Sequence, residues 1–169
     1  LGFPSAMQML FEVALFTTAI WLSGSLGKNS QAANQIALIL SSSTFMVAMG
    51  LSVASMIRVG YAKGLNKYED LIIIARSLFL LAIIIESVFA LLFLVFHNFL
   101  PHLFLNMTDV TEIVDNNEII WIASRLLLVA AVFQIFDGVQ VVVLGALRGL
   151  QDVKIPMYIT FIAYWLIGF

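Results

Sequence analysis

Apolar residues in this chain fall into long runs, parted by short polar segments. The first run extends from Ala6 to Leu26 and is broken only by Glu12. The second lies between Lys28 and Arg58 and holds no charge. The third, Leu71 to Phe96, is interrupted by Arg76 and Glu86, and the fourth, Ile119 to Leu147, by Arg125 and Asp137. A fifth opens after Lys154 and is still apolar at Phe169. Crossing about 30 Å of hydrocarbon takes about 20 apolar residues. In hydrocarbon an isolated segment must satisfy its own backbone hydrogen bonds, so each run is expected to be a helix. The runs do not alternate, which excludes the roughly 10-residue strands of a membrane barrel. The pattern predicts an all-α polytopic membrane protein with four complete transmembrane helices, over 5–26, 31–58, 71–97 and 118–147, and a truncated fifth over 155–169.

Composition agrees. The 169 residues are 62% hydrophobic and 11% charged, with no Cys and a mean hydropathy of +1.06. Soluble domains carry about 25% charged residues. A soluble domain, a disordered chain, a basic nucleic-acid binder and a disulfide scaffold are all excluded. The connections read as turns: 23–30, rich in Ser and Gly; 60–66, from Gly60 to Asn66; 98–118, with Pro101 as breaker; and 149–154, with Pro156 suited to the first turn of the next helix. Gly60-x-x-x-Gly64 and Gly145-x-x-x-Gly149 form a weak internal echo. Both allow close helix approach, but helix termination by glycine is the reading preferred here.

Lys and Arg set the orientation. Arg58, Lys63, Lys67 and Arg76 cluster around the second-to-third connection, and Arg148 and Lys154 flank the fourth-to-fifth. The other side has Lys28 and Arg125, with Asp109, Glu112, Asp115 and Glu118 on its long connection. Residues 58–76 and 148–154 are therefore expected in the cytoplasm, and 27–31 and 98–118 outside. The first residue is Leu1 and the last span is cut short, so a fragment of a longer chain is expected.

A carboxylate at mid-bilayer costs roughly 2.5–3.5 kcal/mol on insertion scales and is retained where it faces a bundle interior or an aqueous cavity. At 100° per residue, Ser5, Gln8, Glu12 and Ser23 form a narrow polar stripe. Asp137 shares a broad face with Gln134, Gln140 and Phe133. Counted from the outer helix ends at 1.5 Å per residue, Glu12 and Asp137 lie about 22 and 28 Å deep, close enough in depth to share a cavity. Two such acids can exchange a proton, or hold a small cation when ionised. A negative cavity also attracts organic cations. Glu86 is a third candidate whose role, functional or structural, stays open. Arg125 is expected to snorkel outward. On the second span Gln31, Gln35 and Ser42 share a face with Met46, Met49 and Met56, and Ser41 to Thr44 are expected to serve helix packing.

His97 and His102 have no partner pattern for a metal. No GxxxxGK[ST], GxGxxG, GxSxG or HExxH motif occurs, so enzymatic chemistry lacks support. Asn106-Met107-Thr108 is a glycosylation triplet of low specificity.

Several motifs in order resemble the MATE (multidrug and toxic compound extrusion) family, in its NorM-like branch. Gly2-Phe3-Pro4 with Gln8-Met9-Leu10-Phe11-Glu12-Val13 resembles the start of that family's seventh helix. Ala32-Ala33-Asn34-Gln35-Ile36-Ala37 resembles its A-A-H-Q-I-A, with Asn34 in place of the usual His. Arg58-Val59-Gly60 resembles its R-V-G. Phe133-Gln134-Ile135-Phe136-Asp137-Gly138-Val139-Gln140 and Gly145 to Asp152 resemble the tenth helix and its exit; Pro156 and Tyr164-Trp165 resemble the eleventh.

The resemblance implies most of the second six-helix lobe of a twelve-helix antiporter in a plasma (bacterial inner) membrane, with the N-terminal lobe of the same chain as its partner. It implies export of cationic amphipathic compounds in exchange for Na⁺ or H⁺, with no other cofactor. Glu12 and Asp137 would form the cation site, and Gln8, Phe16, Gln35, Phe133 and Gln134 would line the substrate cavity. Two rivals are a lipid-linked precursor flippase on a related fold, which would need a basic cavity, and a structural membrane subunit, which would keep both acids closed to water.

Overall fold

The computed structural model describes residues 2–25, 27–105 and 113–163, with side chains 113–115 left aside. Asn106-Met107-Thr108, Asp109, Glu112, the Asp115 side chain and Tyr164-Trp165 lie outside the described residues.

The described chain is helical, without strands. Its elements are α1 (Gly2–Ser25), α2 (Lys28–Gly64), α3 (Tyr68–Phe96), a 3₁₀ turn (Leu100–Leu103), α4 (Ile113–Gly149) and α5 (Lys154–Phe161). The first four helices are long and apolar enough to cross a membrane. α5 is the short fifth. At 1.5 Å per residue the 37 residues of α2 reach about 55 Å, well beyond the hydrocarbon thickness. Large apolar side chains such as Trp21, Val129, Phe136 and Leu80 are exposed along the helices, which suits a lipid solvent and no other.

The breaks have local causes. α1 stops at Ser25, and Gly27 takes φ +118, a conformation open to a residue without Cβ. The Gly27 carbonyl then accepts from the Gln31 amide at 3.1 Å and starts α2. α2 and α4 end in the same way. Lys67 N–H donates to the Ala62 carbonyl and Asn66 N–H to the Lys63 carbonyl, both at 3.0 Å. Asp152 N–H donates to the Leu147 carbonyl at 2.9 Å and Gln151 N–H to the Arg148 carbonyl at 3.0 Å. Both are Schellman closures, with left-handed Asn66 (φ 57) and Gln151 (φ 62) in the position glycine usually fills.

Three expectations are corrected. Residues 60–64 are not a loop, because the closure at Asn66 lets α2 run on to Gly64. The 98–118 connection is shorter than its polarity suggests: Pro101 sits in the 3₁₀ turn and α4 is already helical at Ile113. The echoing glycines do more than end helices, as the packing shows.

The residues group into two compact units. The first comprises 1–19, 48–82 and 139–169; the second, 20–47 and 83–138. In the first unit α2 and α4 touch backbone to backbone. A Cβ on Gly145 would stand 2.3 Å from the Ser52 carbonyl oxygen, and one on Gly149 would stand 2.5 Å from that of Met56. A Cβ on Gly60 would stand 3.3 Å from the Gly149 carbonyl oxygen. Ser52 Oγ donates to the Val141 carbonyl at 2.7 Å, and Lys63 Nζ donates to the Leu150 carbonyl. Small residues here are contact surfaces, the usual device for helix association in lipid. Phe11 and Phe161 pack ring against ring at 5.1 Å and join α1 to α5.

The second unit is built likewise on small residues. Ala37, Ala90, Phe93, Leu127 and Ala131 form one buried cluster, and Ala33, Ile36, Ile119 and Ala123 another. Asn29 donates to Glu118 at 2.7 Å, and Asn34 to Ser23 at 3.3 Å. Arg125 is exposed, as expected of a snorkelling side chain, and lies over the Trp121 ring 5.3 Å from its centroid.

Candidate functional site

The expected site residues divide between the two units. In the first, α1 carries Gln8, Glu12 and Phe16 at helical spacing along one side. Gln8 is buried, 2% exposed, and neither atom of its amide has a hydrogen-bond partner. Glu12, one turn on, is half-buried, as is Phe16. Glu12 is attracted to the guanidinium of Arg148 from α4. Sequence reasoning missed this attraction, since 136 positions separate the two residues and no motif links them. Arg148 also buries its Nε without a hydrogen-bond partner.

In the second unit, polar groups from three apolar helices converge. α3 supplies Glu86, which is 1% exposed. α4 supplies Gln134, Asp137 and Gly138, and α2 supplies Thr44. The Thr44 hydroxyl is shared between the Ser41 carbonyl at 2.8 Å and Gln134 Oε1 at 3.0 Å. Gln134 Nε2 points to the Glu86 backbone carbonyl at a long 3.5 Å. One side chain thus ties α4 to both α2 and α3, and Thr44 serves packing as the sequence suggests. Glu86 lies against the bare Cα of Gly138, where a Cβ would stand 2.5 Å from its Cγ. Its carboxyl is near enough to that of Asp137 for the two to repel. Asp137 itself is half-buried and bonded or paired within the chain.

Other expected residues lie elsewhere on these helices. Gln35 is exposed on α2, and Phe133 is 50% exposed on α4, one turn before Asp137. Gln134 is 6% exposed, with its amide engaged in the helix contact just described. The arrangement on α3 and α4 offers two carboxyls and an amide in a low-dielectric setting. Such a set can bind a proton or take part in holding a cation. The sequence flagged Glu86, Asp137 and Gln134 separately, but gave no sign that Gly138 admits Glu86 to the α4 surface.

Comparison with known proteins gives a consistent result. A family model described as MatE matches residues 4–169. A "Probable multidrug resistance protein NorM" of Agrobacterium fabrum is 38% identical over 168 residues, 99% of this chain and 35% of that protein. Proteins named multidrug resistance protein MdtK from Yersinia pseudotuberculosis and Yersinia pestis are each 39% identical over the same coverage. The chain thus spans 35% of the length of the curated relatives it matches.

Proposed function

The chain belongs to the MATE family, and from that premise we propose that it forms most of one six-helix lobe of a cation-coupled antiporter. The protein exports drugs, in keeping with the multidrug resistance names of its relatives, and its span acids suit cationic amphipathic compounds exchanged for Na⁺ or H⁺. Glu12 and Asp137 carry the coupling ion. Gln8, Phe16, Gln35, Phe133 and Gln134 line the path of the substrate. Transport proceeds by alternating access between this lobe and a second one. Residues 58–76 and 148–154 face the cytoplasm of a bacterial inner membrane, with 27–31 and 98–118 outside.

The observation that carries this reading is the placement of the two acids. They stand on separate apolar helices, at motif positions of the family, and both remain partly exposed. An acid kept in a span at a cost of about 2.5–3.5 kcal/mol points to a cavity or pathway. A purely structural subunit would close both from water, and a flippase for phosphate-bearing lipids would call for basic residues in their place. The test is Glu12→Gln and Asp137→Asn in the intact protein, reconstituted in vesicles with an imposed Na⁺ or H⁺ gradient. Loss of gradient-driven efflux in both variants is expected; full efflux in both refutes the proposal.

A further inference from the structure

Successive spans alternate in direction, so the start of α1, the ends of α2 and α4 and the start of α5 lie at one end. The first compact unit gathers those segments, 1–19, 48–82 and 139–169, and it buries several polar atoms. Gln8 on α1 is 2% exposed and Ser55 on α2 is 0% exposed. Among the described residues, neither amide atom of Gln8, nor Ser55 Oγ, nor Arg148 Nε on α4 has a hydrogen-bond partner. A buried donor or acceptor left unpaired is costly and rare. Four such atoms in one unit point to a shared cause.

Helix register puts them in one layer. Gly145 meets Ser52 and Gly149 meets Met56, so Ser55 stands within a turn of the height of Arg148. The Arg148 side chain leans toward the start of α4, as helical side chains do, and therefore into the unit. On α1, Phe11 packs on Phe161. Phe161 is the last residue of α5 and lies about 10 Å along it from Lys154. Gln8 is one turn nearer the end where α5 begins, about 4–5 Å lower. It falls at the height of the last turns of α4, where Gly145 and Arg148 stand. Glu12 is one turn beyond Gln8, farther from that end. The attraction between Glu12 and Arg148 agrees with this register.

The chemistry of the layer selects its ligand. Gln8 offers donors and an acceptor, Ser55 a donor and an acceptor, and Arg148 Nε a donor. An anion would satisfy the donors but oppose Gln8 Oε1 and the Glu12 carboxylate. A metal cation would oppose Arg148. Water donates and accepts, is small enough to lie among closely packed helices, and typically makes about three hydrogen bonds to buried groups that lack other partners.

We infer that Gln8, Ser55 and Arg148 form a water-binding layer among α1, α2 and α4, which keeps Glu12 in contact with water at the 149–154 end of the chain. Its role in transport rests on the reading that Glu12 carries the coupling ion, whose release into water the layer serves.

The test uses the intact protein in oriented membrane vesicles, with silver ion as a probe that reaches thiols only through water. The chain has no Cys, and any Cys elsewhere in the intact protein is replaced by Ser. Ser55→Cys places a thiol in the layer. Val142→Cys places one in the apolar interior of the same unit, where Val142 is 0% exposed. Apolar surroundings suppress the reactive thiolate, so silver applied from the 149–154 side is expected to block Ser55→Cys at least about tenfold faster than Val142→Cys. Ser55→Cys as slow as Val142→Cys, or reactive only from the opposite side, overturns the proposal. A second measurement needs no thiol. Gln8→Met keeps the length of the side chain and removes its polar atoms. If the amide bonds to water, the variant unfolds at lower SDS than wild type; unfolding at equal or higher SDS overturns the proposal. Should gradient-driven efflux survive Glu12→Gln while Ser55→Cys reacts fast, the layer stands and the coupling role of Glu12 falls. Should efflux fail in Glu12→Gln while Ser55→Cys stays dry, the layer falls and the coupling role stands.

Discussion

Gly145→Ala tests the closest helix approach in the first compact unit. The added methyl would stand 2.3 Å from the Ser52 carbonyl oxygen, 2.5 Å from Ser52 Oγ and 2.9 Å from the Ser52 carbonyl carbon. An ordinary contact needs at least 3.4 Å, so α2 and α4 must part locally by about 1 Å, a shortfall of the kind that defines overpacking. The obstacle is helical backbone and cannot swing aside as a side chain would. Overpacking of this kind costs about 1–3 kcal/mol. The Ser52–Val141 hydrogen bond of 2.7 Å is also disturbed, and such bonds between membrane helices average about 0.6 kcal/mol. Alanine's better helix propensity returns up to about 1 kcal/mol. The net expectation is a loss of about 1–3 kcal/mol. Gly50→Ala is the control: it lies in the same α2 with nothing within 4 Å, so it keeps the propensity gain without the clash. Unfolding of the intact protein by SDS titration, followed by far-ultraviolet circular dichroism, reads both. If Gly145→Ala is as stable as Gly50→Ala, the α2–α4 approach described here is wrong.

Two further outcomes are expected of the same assay. Thr44→Val keeps the shape of the side chain but removes the donor to Gln134 Oε1, a 3.0 Å bond in a buried contact; a loss of about 0.6–2 kcal/mol is expected, Thr44→Ser should largely keep the bond, and a Val variant as stable as wild type would dismiss it. Gln151→Gly relieves a left-handed residue (φ 62) at the closure of α4 and should stabilise by about 0.5–1 kcal/mol; Asn66→Gly should gain less, because Asn tolerates that conformation, and equal gains would show that side-chain strain is not what separates the two turns.

The helices were legible because hydrocarbon imposes one rule on every span: a long apolar run with its backbone bonds closed internally. Four runs and a short fifth could be read from charge positions with no knowledge of packing. Where helices end was less legible. Gly60 and Gly64 looked like a loop, yet the turn waits for Asn66, because the deciding feature is a left-handed residue two positions beyond the last glycine. The role of Gly145 and Gly149 was misjudged for a related reason. A glycine near a helix end is ambiguous by itself, and only the position of Ser52 and Met56 on a distant stretch of chain shows that it is a contact.

The same distinction separates Glu12 and Asp137 from Glu86. An acid in an apolar span is visible in sequence through its cost, and all three were flagged on that ground. What the cost does not reveal is the partner that makes the acid tolerable. Glu12 is attracted to Arg148, a residue first assigned to the membrane surface. Glu86 has no basic partner among the described residues; it has a glycine that admits it and a second acid that repels it. These are opposite solutions in electrostatic terms.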